Sequence, residues 1–478
     1  MIEQPAYIIA TIVVYMSVCL LLGLFAWRRT STLSDFILGG RSLGSWVTAL
    51  SAQATDMSGW LLMGLPGLAY ASGFDAVWMA AGLIVGTWAN WRFVAARLRI
   101  RTEQLNNSLT LPDYFEYRFE DRSRMLRTIS AVLILLFFTF YTSSGFVAAG
   151  KLFQTLFGLE YVPAMFWGTI VMLTYTFVGG FLAVSWSDVL QGTLMFVALV
   201  LVAVLGMAMS GGVTETFDAI AARDPTLLDP SIGMGGEALG LIGIASLVAW
   251  GLGYPGQPHV LARFMAIKSP DQMRAARRVA MGWVIIVLVA AILVGLTGVL
   301  VVPSLEGADS EKIFILMSTT FLHPVLAGVC LSGILAAVMS TAAAQILVAS
   351  SAFAQDIYKG LLRPSSQGTE LLWVGRIAVL SIAILAFLLA LDPESTVLDL
   401  VAWAWAGFGA AFGPAIVLSL YWSGMTRNGA LAGMILGGAT VVLWKQGSGE
   451  IFQLYEMIPG VALSTAAIWV VSFIERRD

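Results

Sequence analysis

The chain has 478 residues, 58% of them hydrophobic and only 12% charged, with a mean hydropathy of +0.85. A soluble chain of this length carries about twice that charge, so a soluble enzyme or a nucleic-acid-binding module is excluded and a polytopic membrane protein is indicated. The net charge of −3 decides little, and the two cysteines, Cys19 and Cys330, both fall inside apolar runs, which argues against a disulfide framework.

Thirteen apolar runs are long enough to span a bilayer as helices: about 7–27, 43–72, 74–91, 126–157, 162–183, 189–210, 238–261, 279–302, 324–352, 371–391, 397–422, 428–446 and 455–474. The first follows "MIEQPA", which has no basic n-region, and reads as a retained span rather than a cleaved signal. The second contains "SAQATDMSGWLLMGLPG" (51–67), with a carboxylate, Asp56, amid small and hydroxyl residues and a Gly-x-Pro-Gly behind it. After the third span, "LTLPDYFEYRFEDRS" alternates acids, arginines and aromatics, and is expected to lie along the inner membrane surface. The fourth span carries Tyr141 in "FYTSSG". Asp188, in "GGFLAVSWSDVLQG", is expected at the short inner turn before the sixth span, as its cap or as a relay for a departing ion. The seventh span holds "VAWGLGYPGQPH" (248–259), a second Trp followed by Gly-x-Pro-Gly, and is expected to come undone over 250–256. The ninth reads "LSGILAAVMSTAAAQILVASS", where Ala337, Ser340, Thr341 and Ala344 share one helical face.

Basic residues gather in cytoplasmic loops. With the N-terminus outside, 22 of the 26 lysines and arginines fall on inner segments, Arg92 to Arg127 forming the largest group, while Lys151, Arg223, Lys312 and Lys445 face out. The expectation is N-out and C-in, in a bacterial cytoplasmic membrane, with an odd number of spans.

The interrupted spans are the second and the seventh. An offset of five places them in opposite orientations, the pattern of a secondary transporter built from inverted repeats. The competing reading is two kinked helices in an unrelated bundle. Broken backbone is tolerated at membrane depth where it lines a cavity, so a break near 54–58 frees carbonyls for a cation and points half-helix amides at an anion.

Each candidate has a plainer alternative. Asp56 is a functional residue by its depth, or an N-cap for the half-helix at Met57–Trp60. Ser340 and Thr341 offer hydroxyls to a cation, or they are small-residue helix packing. Sodium suits neutral oxygens, and a proton-coupled version through Asp56 stays open. Trp250 and Tyr254 lie four apart on one face of the second broken span and suit a small ring carrying an ammonium. His259 and His323 have no partner at metal-ligand or triad spacing. No phosphate loop is present, and no enzyme activity is expected.

The stretches "ILGGRSLG", "ALSAQATDMSGWLLMGLPG", "TLPDYFEYRFED", "GGFLAVSWSDVLQ", "GLGYPGQPHVLARFMA", "ILAAVMST" and "WAGFGAAFGP" resemble the sodium/solute symporter family, and within it the bacterial members that carry proline, over about residues 7–474. The resemblance implies an all-α, leucine-transporter-like fold of 13 transmembrane helices: an extra N-terminal helix and loop (1–42), repeat 1 (43–210), repeat 2 (238–422) and two extra C-terminal helices (427–478) in a single transporter domain. It implies sodium-coupled symport of L-proline by alternating access, with another small solute, such as a sugar, a carboxylate or another amino acid, as the alternative. By the same resemblance sodium, the coupling ion, is held by carbonyls of Ala54, Met57 and Ala337 and by the hydroxyls of Ser340 and Thr341, with Asp56 beside it. Proline is met by Ser58, Gly59, Trp60, Tyr141, Trp250, Tyr254 and Gln257, and Asp188 lies near the inward sodium route. Pro255 stands where the family has an aromatic, and "STAAAQ" is alanine-rich where relatives carry Ser and Cys. The resemblance implies that a monomer suffices for this activity, and the sequence leaves the oligomeric state open.

Overall fold

The computed structural model describes residues 5–27, 37–176, 181–302, 305–366 and 369–476. Arg28, Arg29 and Arg477, among the basic residues assigned to the inner side, lie outside them. The described chain is helical, and α1 (Pro5–Trp27) is followed by the first interrupted pair. Helix α2 (Ser45–Asp56) ends at Met57, whose φ of −93° and ψ of 82° are not helical. The chain re-enters a wide π-turn over Trp60–Gly64 that runs into α3 (Leu65–Ser72). Pro66 has no N–H to return to the preceding turn, and a π-turn absorbs that loss. The break therefore falls at Met57–Ser58, the C-terminal edge of the expected 54–58.

The second pair differs from expectation. Helix α11 (Gly240–Val248) is not unwound over 250–256 but tightens into a 3-10 segment, Ala249–Gly256. The backbone leaves helical geometry at Gln257 (φ −86°, ψ 105°) and resumes as α12 (Pro258–Ala266). A residue before proline is pushed toward extended backbone, and Gln257 before Pro258 takes that conformation, while Pro255 is accommodated inside the 3-10 turn.

Between the two pairs run α4 (Ala76–Ala89), α5 (Ala95–Gln104), α6 (Leu111–Arg118), α7 (Met125–Phe157), α8 (Tyr161–Thr176), α9 (Phe181–Met209) and α10 (Val213–Arg223). Helix α4 continues through a π-turn, Asn90–Val94, into α5, so the expected inner loop from 92 begins as helix. Asp188 lies two turns inside α9 rather than in the turn before it, which removes the capping role. After α12 come α13 (Met273–Val301), α14 (Ile313–Phe321), α15 (Pro324–Ser351), α16 (Thr369–Leu389), α17 (Val397–Tyr421), α18 (Arg427–Trp444) and α19 (Met457–Glu475). His323 caps α15, its Nδ1 accepting from the Val325 amide at 3.4 Å. Among the described residues eight helical stretches are long and apolar enough to cross a membrane, with three shorter apolar helices beside them. The total is below thirteen partly because Trp60–Gln104 runs as one stretch and the second broken pair counts as a short helix.

Helix α15 is the most enclosed of these, packed on α9, α7 and α1. The 3-10 segment lies between α4 and α17. Its approach to α4 is backbone on backbone: a Cβ on Gly82 would sit 2.2 Å from the Val248 carbonyl oxygen, and one on Gly251 would sit 2.1 Å from that of Gly82. Lys151, expected to face out, is buried and donates to Glu311 Oε2 at 2.6 Å. The reason is that Glu311 is committed there, capping α17 through the amides of Val397 (2.9 Å) and Leu398 (3.0 Å), and a buried carboxylate demands a cation.

Candidate functional site

The break in α2 meets α15. Ser340 Oγ donates to the Ala54 carbonyl at 2.7 Å, and Thr341 Oγ1 reaches the same oxygen at 3.5 Å. Ser340 also lies 3.1 Å from the Ala337 carbonyl of its own helix. Four of the five residues expected around a cation, Ala54, Ala337, Ser340 and Thr341, are thus joined by hydrogen bonds across two helices that are distant in sequence. Met57 is buried at the break itself, without a contact that would place its carbonyl toward the others. All five are sealed from solvent.

Asp56 is fully buried at the end of α2, and the group that faces its carboxylate is the Tyr254 hydroxyl of the second interrupted pair, outside ideal hydrogen-bond geometry. It does not cap the half-helix that follows, since no side-chain cap is made there. Its backbone carbonyl is busy instead. It accepts the Ser58 amide (3.2 Å), the Tyr141 hydroxyl (3.2 Å) and Trp60 Nε1 (3.4 Å). These bonds draw Tyr141 of α7 and the Trp60 indole onto the unwound turn. Ser58 is buried with its hydroxyl beside that of Tyr141, and Gly59 starts the half-helix next to it. A buried carboxylate met only by a hydroxyl at poor geometry is costly unless a ligand completes it.

From the other side the 3-10 segment supplies Trp250 and Tyr254, and the break that follows it supplies Gln257. The Trp250 ring lies 6.1 Å from that of Trp60. Gln257 donates to the Gly253 carbonyl (3.1 Å) and the Trp405 carbonyl (3.2 Å), leaving its Oε1 unpartnered. Tyr254 stands edge-on to Trp405 at 5.1 Å, with its hydroxyl turned to Asp56 and Thr87. The seven residues expected around an organic solute therefore come from α7 and from both interrupted pairs, and all are buried.

Asp188 belongs to an adjoining cluster. Ser51 Oγ donates to its Oδ2 at 2.6 Å, and Arg263 Nη2 approaches the same oxygen at 3.3 Å. Arg263 Nε donates to Ser51 Oγ at 3.1 Å, and its guanidinium lies 5.0 Å from the Phe181 ring centroid. The cluster ties α2, α9 and α12 together, with both charges at 0% exposure.

Sequence reasoning missed Arg263 as a partner of Asp188, the role of Trp405, and Tyr455. Trp405 Nε1 donates to the Trp250 carbonyl at 2.8 Å, and a Cβ on Gly253 would lie 2.1 Å from that nitrogen. Tyr455 stacks on Trp250 at 5.8 Å and 19°. Small residues around Trp405 in "WAWAGFGAAFGP" were a signal for close packing, whereas Tyr455, in the polar stretch before α19, carried none. His259, given no chemistry, is buried with both ring nitrogens unpartnered and stands edge-on to Tyr141 at 5.9 Å. On the side of the arginine-rich segments two cavities adjoin. One is apolar and walled by Ile134, Pro258, Ala262 and Leu347. The other, about 280 Å³, is walled by Asp113, Tyr117, Arg124, Arg127 and Lys359.

The sodium:solute symporter family pattern matches residues 36–437. A sodium/proline symporter of Salmonella typhimurium is 50% identical over 472 residues, covering 98% of this chain and 93% of that one. A high-affinity proline transporter of Bacillus subtilis is 49% identical over 457 residues, covering 95% of each. Among solved structures, a substrate-bound, outward-open sodium-coupled sialic acid symporter superposes with a TM-score of 0.80 at 18% identity, over 98% of both chains. A nucleobase-cation-symport-1 family transporter in a closed conformation superposes with a TM-score of 0.56 at 15% identity, over 93% of this chain and 96% of that one. At those identities the likeness shows a shared fold.

Proposed function

This chain belongs to the sodium:solute symporter family, and from that premise we propose that it carries L-proline into the cell together with sodium, by alternating access. The observation that supports this most is the junction of α2 and α15, where the Ser340 and Thr341 hydroxyls meet the Ala54 carbonyl at the break. Hydroxyl and carbonyl oxygens without formal charge suit a hard monovalent cation. Sodium takes the Ala54 carbonyl, and the Ser340 proton turns to the Ala337 carbonyl already 3.1 Å away. Met57 supplies a further carbonyl from the break, and Asp56 adds negative charge beside it.

Binding of the ion fixes the unwound turn, and with it the half-helix amides around Ser58, Gly59 and Trp60 that receive the proline carboxylate. Tyr141, Trp250, Tyr254 and Gln257 enclose the ring and ammonium. Coupling is a difference in affinity: each ligand binds better once the other has ordered the shared backbone. Asp188, held by Ser51 and Arg263, stands on the inward route of sodium. The chain is read as thirteen spans with the N-terminus outside, the two five-helix units of opposite topology rocking about the broken pairs. One sodium entering across about 100 mV releases roughly 2.3 kcal/mol. A tenfold gradient adds about 1.4 kcal/mol, enough together for roughly 500-fold accumulation of a neutral solute.

Counterflow of labelled proline in proteoliposomes, with and without sodium, tests the proposal. Sodium-dependent exchange is expected. Exchange indifferent to sodium, or its absence with proline but presence with another solute, would overturn it.

A further inference from the structure

The segment ahead of the last helix contributes a residue that lies outside both five-helix units. Tyr455 stacks on Trp250 at 5.8 Å and 19°, and Trp405 stacks on the same indole at 6.5 Å and 26°. Tyr455 is strapped at two points: its amide donates to Ser246 Oγ of α11 at 3.0 Å, and its hydroxyl donates to the Ala402 carbonyl of α17 at 2.7 Å. It thereby bridges the half of the second broken pair ahead of Trp250 to the helix that carries Trp405. Exposure falls inward through the stack, from 9% at Tyr455 to 6% at Trp250 and 1% at Trp405 and Trp60. Tyr455 lies against the Trp250 ring from the segment ahead of α19, whereas the two cavities are walled by residues on the arginine-rich side.

We propose that Tyr455 is the outer lid of the solute site, so that the C-terminal accessory helices are part of the transport machinery rather than an addition to it. This rests on the reading of Trp250 as a solute contact. Closure toward the outside seats Tyr455 on Trp250, and opening separates the two rings or moves α11 and the Tyr455 strap away together. A flat aromatic pair favours the closed arrangement without touching the solute. Removing the ring therefore disfavours closure and slows turnover, while the open, ligand-accepting state gains population.

The test is initial-rate uptake of labelled proline in proteoliposomes at saturating sodium, normalised to inserted protein, for Tyr455→Ala and Tyr455→Phe. For Tyr455→Ala turnover is expected to fall about three- to tenfold, the range of one aromatic pair, with the external half-saturation constant for proline unchanged or lower. Tyr455→Phe keeps the ring, loses the bond to Ala402, and is expected to stay within about twofold of the unaltered chain. A raised half-saturation constant at unchanged turnover would make Tyr455 a solute contact and overturn the lid. So would unchanged kinetics, or a Phe variant as slow as the Ala variant, which would credit the strap rather than the ring. Failure of the unaltered chain to take up proline with sodium would sink the functional proposal instead, so the two failures are separable.

Discussion

Replacing Ser340 and Thr341 together by alanine removes two of the five oxygens proposed for sodium. Hydrogen bonds to charged groups contribute about 1.5–3 kcal/mol each. If a hydroxyl–sodium contact is comparable, the pair contributes about 3–6 kcal/mol, and its loss weakens sodium binding by roughly 10²- to 10⁴-fold. The cost to folding is smaller. The double variant gives up the 2.7 Å bond from Ser340 to Ala54 and the longer one from Thr341, at about 1 kcal/mol each. Insertion should survive while coupling does not. The assay is proline uptake in proteoliposomes across a sodium series, with inserted protein quantified in parallel. Sodium stimulation is expected to vanish from the accessible range. A sodium half-saturation within about threefold of the unaltered chain would refute the assignment, because no two-ligand loss is that cheap.

Asp188→Asn removes the carboxylate charge from the buried Arg263 guanidinium, which keeps its bonds to Ser51 Oγ and the His259 carbonyl, and should cost up to about 3–5 kcal/mol of stability. It would be read as a drop in melting temperature that Asp188→Asn with Arg263→Leu recovers, and no recovery would remove the pair as the cause. Gly253→Ala places a methyl against Trp405 Nε1, with an overpacking cost of about 1–3 kcal/mol. Weaker proline binding is expected at unchanged sodium affinity measured without proline. Tyr141→Phe loses the 3.2 Å bond to the Asp56 carbonyl, about 1 kcal/mol or roughly fivefold in proline affinity. Equal losses for proline and sodium there would indicate general packing rather than a solute role.

The sequence revealed the membrane class and both interruptions, because charge scarcity and Gly/Pro clusters leave traces along the chain. The junction of Ala54 with Ser340 was legible for the same reason, as small and hydroxyl residues recur on one face of α15. The position of the second break was not. Two prolines, Pro255 and Pro258, compete for it, and packing of the 3-10 segment between α4 and α17 decides in favour of Gln257. Asp188 was misplaced because the apolar run read as the fifth span extends to 183 and leaves a short turn before 189, whereas α9 already begins at Phe181. Partners such as Arg263, Trp405 and Tyr455 approach from remote segments, and no local pattern announces a contact of that kind.

The naked contact between Gly82 and Gly251 bears on how the molecule moves. Interlocked side chains must climb over one another when neighbouring helices shift, and each climb is a barrier. Where main chain rests on main chain there are no teeth to disengage, and weak Cα–H···O attractions can be traded for equivalent ones one notch along. The surface between α4 and the 3-10 segment is in that sense a slip plane, and a methyl at either glycine would act as a brake.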